Sequence, residues 1–126
     1  MEPIYTDKAP APIGPYSQGI KAGQTIYTSM QIPLDPNNQD APIGTITEQT
    51  QQTLENIVNI ITSAGGAKAD IVKTTLYLTD MQDWAAINET YAAFMEGHEP
   101  ARSIVPVTQL PLGYGIACDA IAVVRN

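Results

Sequence analysis

Residues 116–124 read Ile116-Ala117-Cys118-Asp119-Ala120-Ile121-Ala122-Val123-Val124. In extended backbone, successive side chains point to opposite faces. Ile116, Cys118, Ala120 and Ala122 therefore line one side of a strand, and Ala117, Ile121 and Val123 line the other, with Asp119 among them. A strand that is apolar on both sides is covered on both, so this one belongs inside a sheet whose two faces are buried.

The rest of the chain supplies cover for only one face. Thr45-Ile46-Thr47-Glu48 has the spacing of a capping box, in which threonine and glutamate satisfy each other's free amides. Leu54, Ile57, Val58, Ile61 and Ala64 then recur at helical spacing, with Gln51, Gln52, Glu55, Asn56 and Asn59 expected to face water, and Gly65-Gly66 as the stop. A second helix is expected from Asp80 or Asp83, with Trp84, Ile87, Tyr91, Phe94 and Met95 on one stripe and Gly97 and Pro100 ending it. Further strands are expected at Gln24 to Met30 (with Gly19 to Lys21 as hairpin partner across Ala22-Gly23), Ile71 to Thr79 and Ser103 to Gln109, with a short one near Ile4 to Thr6. In Ile71 to Thr79, Val72, Leu76 and Leu78 alternate against Lys73, Thr75 and Tyr77. Pro33 to Gly44, rich in proline and asparagine, reads as a surface loop. The order ββαβαββ makes an α+β fold: one mixed sheet with both helices on one face. Two helices cannot cover the second face, which leaves another copy of the chain to do so.

Composition agrees. The 126 residues make one domain, 1–126. Only 15% are charged, where about a quarter is usual, as expected if part of the surface is buried between copies. Thirteen acidic against six basic residues give a net charge of −7, and no basic stripe exists to displace counterions from phosphates, so nucleic acid is an unsuitable partner. One cysteine, no signal-like start and no apolar run approaching ~20 residues point to the cytoplasm, with no membrane span.

Few residues offer chemistry. Asp119 lies on an apolar strand face, where a bare carboxylate is costly, so it is paired, hydrogen-bonded or functional. Arg102, one of two arginines, follows the Pro100 break at a strand mouth. Its planar fork suits two-point capture of a carboxylate, the bland alternative being an ion pair with Glu96 or Glu99. His98, the single histidine, has no partner at metal-ligand spacing, and Cys118 reads as a small core residue.

Taken in order, the blocks Ala11-Pro12-Ile13-Gly14-Pro15-Tyr16-Ser17-Gln18-Gly19, Thr28-Ser29-Met30-Gln31-Ile32-Pro33, Asp70 to Thr75, Asn88-x-x-Tyr91, Pro100-Ala101-Arg102-Ser103, Leu110-Pro111 and Ala120-Ile121-Ala122 resemble the RidA/YjgF family over nearly the whole chain. The resemblance implies a chorismate-mutase-like fold and a homotrimer with sites between subunits. It also implies cofactor-free hydrolysis of reactive 2-enamine and 2-imine acids, released by pyridoxal-phosphate-dependent dehydratases, to 2-oxo acids and ammonia. It places the carboxylate-binding arginine at Arg102, the water-positioning acid at Asp119, and substrate neighbours at Tyr16, Ser29, Met30 and Ile104. Three of these depart from the family's habit: Met30 replaces a usual glycine, Asp119 a usual glutamate and Ile104 a usual small residue, and they bear on substrate range and rate. Two other readings compete, a non-catalytic trimer that binds 2-oxo acids or other small carboxylates and a ribonuclease or translation inhibitor. The net charge speaks against the last.

Light scattering checks the assembly implied by the uncovered face. A particle of about three times 13.5 kDa is expected, and a monodisperse monomer at micromolar concentration would remove the basis for a shared site.

Overall fold

The computed structural model describes residues 1–125. The elements run β1 (Glu2–Ile4), β2 (Gly19–Ala22), β3 (Thr25–Thr28), α1 (Ile46–Ser63), β4 (Ile71–Leu78), α2 (Trp84–Met95), β5 (Ala101–Pro106) and β6 (Ile116–Val123). They form a six-stranded sheet in the order β1-β2-β3-β6-β4-β5. Every neighbouring pair is antiparallel except β4 and β5, which run parallel across the α2 crossover. The fold is α+β, as the pattern of elements indicates.

The local signals act as the sequence suggests. At the start of α1, Thr45 Oγ1 accepts from the Glu48 amide (3.1 Å), and Glu48 Oε1 accepts from the Thr45 amide (2.9 Å). At its end, Gly65 takes a positive φ of 91°, Gly66 N–H donates to Ile61 O and Gly65 N–H to Thr62 O. Glycine is needed there because this backbone is poorly accessible to other residues. Leu54, Ile57, Ile60 and Ile61 on α1 and Ile87, Tyr91 and Met95 on α2 are buried with Leu76, Leu78, Ile116, Cys118, Ala120 and Ala122 of the sheet. Tyr91 Oη and Thr74 Oγ1 share a buried hydrogen bond of 2.8 Å that ties α2 to β4.

Asn56 is fully buried, contrary to the expectation that it faces water. Its amide nitrogen donates to the carbonyls of Ile32 (3.1 Å) and Leu34 (2.9 Å), and Gln52 Nε2 donates to its oxygen (2.9 Å). The loop after β3 crosses over this point of α1, which helical periodicity cannot register. Val72 departs as well. Ile71 pairs with Ala122 and Lys73 with Ile121, so Val72 is an extra residue in a β-bulge. It is exposed rather than sharing a face with Leu76 and Leu78. Beyond the bulge, Thr74, Leu76 and Leu78 are buried, and Lys73, Thr75 and Tyr77 lie on the opposite face.

Strand ends shift too. β1 starts nearer the N-terminus than Ile4, β3 closes at Thr28, and β5 spans Ala101–Pro106, not Ser103 to Gln109, because its parallel partner β4 ends at Leu78. The face away from the helices stays open in one chain, with Tyr27, Val105 and Val123 exposed and Asp119 and Ile121 half-buried.

Asn56→Ala strands two carbonyls that its amide now satisfies. It is expected to lower stability by about 2–3 kcal/mol in denaturant titration. Asn59→Ala, which loses one exposed bond to the Lys8 carbonyl, is expected to cost under about 1 kcal/mol.

Candidate functional site

Arg102 sits on β5, the strand at the edge of the sheet, opposite Thr74 in the parallel register. Thr74 is buried beneath the helices, so Arg102 projects on the helix side. Trp84, Asn88 and Tyr91 recur at four- and three-residue steps on α2 and so share one stripe. The guanidinium carbon lies 4.8 Å from the ring centroid of Trp84 and 4.8 Å from that of Tyr91, and Nη1 donates to Asn88 Oδ1 at 3.0 Å. Aromatic faces attract a cation without neutralising it. The ion pair with Glu96 or Glu99 does not form: Glu96 is bound to Lys68 at 2.6 Å, and among the described residues no carboxylate reaches Arg102. The Lys68 bond holds the Glu96 carboxyl below its usual range. A cavity of about 520 Å³ opens beside the guanidinium, walled by Tyr91, Met95, His98 and Pro100. Arg102 is thus oriented by the aromatic rings and Asn88 while remaining exposed to solvent, with most of its donors uncommitted.

Asp119 belongs to the other face. It pairs with Thr75, the residue after Thr74, and consecutive strand residues point oppositely. Its Oδ2 accepts a hydrogen bond of 2.7 Å from the hydroxyl of Tyr77. The carboxylate is therefore bonded rather than bare among apolar neighbours. That bond, with some burial, pushes the Tyr77 phenol up to about 12, so the hydroxyl keeps its proton.

Ser29 and Met30 lie across from Asp119 in the strand register, and the loop that carries Tyr16 is bonded to Ser29. Tyr27 of β3 pairs with Ile121, and Gln31 bridges to Cys118. Three residues, Thr28, Ser29 and Met30, thus oppose two, Asp119 and Ala120, which is a bulge at the end of β3. Ala120 N–H donates to Thr28 Oγ1 at 3.0 Å. Ser29 Oγ donates to Ser17 O at 2.6 Å, and Ser29 N–H to Gln18 O at 2.8 Å, which fixes the Tyr16 loop against the bulge. Tyr16 and Met30, both well exposed, line a small cleft with Ile13 and Gln31. Among the described residues no hydrogen bond engages the Met30 amide.

The sequence-predicted residues therefore fall into two groups. Tyr16, Ser29, Met30 and Asp119 cluster at the β3–β6 end. Arg102 and Ile104, the latter packed on the core opposite Leu76, lie two strands away on the reverse face, about 10 Å by strand spacing. The sequence does not reveal Tyr77 as the partner of Asp119, and it marks Trp84 as a core position and Tyr91 as a core and motif position without linking either to Arg102. Burial of Cys118 pushes its thiol far up, which keeps it an inert core residue. His98 Nε2 lies 2.7 Å from the Ile71 carbonyl, and no cluster of metal-ligating side chains occurs among the described residues.

Comparison with known proteins adds independent weight. The model of the family described as endoribonuclease L-PSP matches residues 6–124. A RutC family protein of Pyrococcus horikoshii is 47% identical over 121 residues, 96% of each chain. The 2-iminobutanoate/2-iminopropanoate deaminase of Escherichia coli is 45% identical over 125 residues, 97% of each. Among solved structures, the YjgF gene product of E. coli superposes with a TM-score of 0.94 at 44% identity, covering 99% of this chain and all of that one. TdcF of E. coli with bound serine gives 0.94 at 40% identity over the full length of both. Motif order, sheet topology and full-length relatives agree, and the chain belongs to the RidA/YjgF family, whose family model carries the description endoribonuclease L-PSP.

Proposed function

We propose that this chain hydrolyses reactive 2-enamine and 2-imine acids, such as 2-aminoacrylate, 2-iminopropanoate and 2-iminobutanoate, to 2-oxo acids and ammonia, in sites completed between copies of a homotrimer. The observation that carries this reading is Arg102, a guanidinium set against two aromatic rings with no carboxylate of its own among the described residues. The name of the E. coli relative supports the reaction, and the serine bound in TdcF is a small molecule bearing the carboxylate such an arginine takes.

The two groups of residues supply complementary halves. Arg102 grips the substrate carboxylate with a two-point bond, and an uncommitted amide at Met30 adds a donor. Asp119 faces the bulge and holds a water. An enamine substrate first becomes the imine by taking a proton at C3 and giving one up from nitrogen. The imine carbon is already electrophilic, so orientation of substrate and water accounts for much of the acceleration. Water adds across the C=N bond, Asp119 accepting its proton and returning one to nitrogen. The resulting carbinolamine then breaks its C–N bond as its hydroxyl proton passes by way of Asp119 to the departing nitrogen, leaving the 2-oxo acid and ammonia. Because Arg102 and Asp119 occupy opposite faces of one sheet, one copy offers its Arg102 edge to the open face of the next. Met30, Tyr16 and Ile104 then shape the space left for the substrate side chain. Dehydratases that use pyridoxal phosphate release such imines and are the enzymes this activity would follow.

A binding-only trimer would use Arg102 and leave Asp119 idle, which the following variants decide. Arg102→Lys, which cannot form the paired bond, is expected to weaken 2-oxo acid binding by about 1.5–3 kcal/mol in calorimetry. Asp119→Asn is expected to slow imine hydrolysis, assayed with a coupled threonine dehydratase, by about 10²–10⁴-fold while 2-oxo acid affinity stays within a few-fold. Parent-like hydrolysis by Asp119→Asn would make Asp119 structural, and a parent that binds 2-oxo acids without hydrolysing imines would leave the binding-only reading standing.

A further inference from the structure

We propose that Tyr77 is the positioning residue for Asp119, holding one carboxylate oxygen so that the other is aimed at the attacking water. The inference rests on the deaminase reading and assigns a role to a side chain outside the two halves of that site. Tyr77 lies on the open face of β4, opposite Ala117, one pleat along from the Thr75–Asp119 pair. Its ring spans the diagonal between non-facing positions, a reach open to long aromatic side chains, and its hydroxyl meets Oδ2 at 2.7 Å.

The geometry leaves the two oxygens of Asp119 unequal. Oδ2 is occupied by Tyr77, whereas no hydrogen bond reaches Oδ1 from the described residues. An aspartate that turns freely about its terminal torsion presents either oxygen in a broad range of planes. The phenol fixes that plane, so the rotamer is set before substrate arrives and the water finds an acceptor in a constant place. The phenol is suited to the task because it remains a donor over the whole working range of pH, its proton held by the carboxylate it serves. Among the described residues no other side chain bonds this carboxylate, Thr75 directly opposite it included.

Tyr77→Phe removes one oxygen atom and keeps the ring. The expected result is a fall of about 10-fold or more in kcat for imine hydrolysis, with KM and 2-oxo acid affinity within two-fold and the assembly unchanged. A second background makes the test specific. In Asp119→Asn there is no base left to aim, so adding Tyr77→Phe is expected to change the residual rate by less than two-fold. A merely structural tyrosine would lower both backgrounds alike and would move KM or assembly. An active parent whose Tyr77→Phe variant keeps its kcat, or loses as much in the Asp119→Asn background, overturns the role of Tyr77 and leaves the deaminase reading intact. A parent with no imine hydrolysis overturns the deaminase reading, and the positioning role with it.

Discussion

The ladder between β4 and β6 is the constraint from which the arrangement follows. Its register sets Thr74 against Ala120 and Thr75 against Asp119, and the two-residue period of a strand then sends alternate members to opposite sides. On the helix side this builds a buried layer of Leu76, Leu78, Ile116, Cys118, Ala120 and Ala122. On the other side it displays Asp119 beside Tyr77, with half-buried Ile121 nearby. A slip of one residue would exchange the two sets, exposing the core and burying the carboxylate. The bulge at Val72 absorbs the mismatch at one end of this ladder, and that at Thr28 to Met30 does the same on the neighbouring β3.

β5 inherits its geometry from the same ladder. It is held on one side alone, by β4, and it begins directly after the turn that closes α2. That placement brings Arg102 under Trp84 and Tyr91, so one helix stripe serves both as core cover and as the cradle of the cation. Tyr91 does both at once: its hydroxyl meets Thr74 in the interior while its ring faces the guanidinium. Burial pushes that phenol up from its ordinary range.

Features governed by neighbours along the chain are legible in the sequence itself. The Thr45–Glu48 cap, the Gly65-Gly66 stop, the double-sided strand 116–123 and the order of elements all depend on spacing within a few residues. What escapes such a reading depends on chain crossing chain. Asn56 looks solvent-facing on a helical wheel, and only the path of the loop after β3 explains its burial. Val72 fits the alternation until a bulge removes it from the count. Residue type and motif single out Arg102, Asp119 and Met30, but their distribution over two faces and the link to Tyr77 follow only from the strand register.

The bulge at the end of β3 has one more consequence. It leaves the Met30 peptide N–H without a hydrogen-bond partner among the described residues, beside the small cleft that the Met30 side chain lines. A main-chain donor is indifferent to which residue carries it, proline excepted. Under the proposed reading, a change in the size of residue 30 would widen or narrow the space for a substrate's tail while the main-chain donor to its head is kept. Methionine, unbranched and pliable, is among the mildest ways of filling that space.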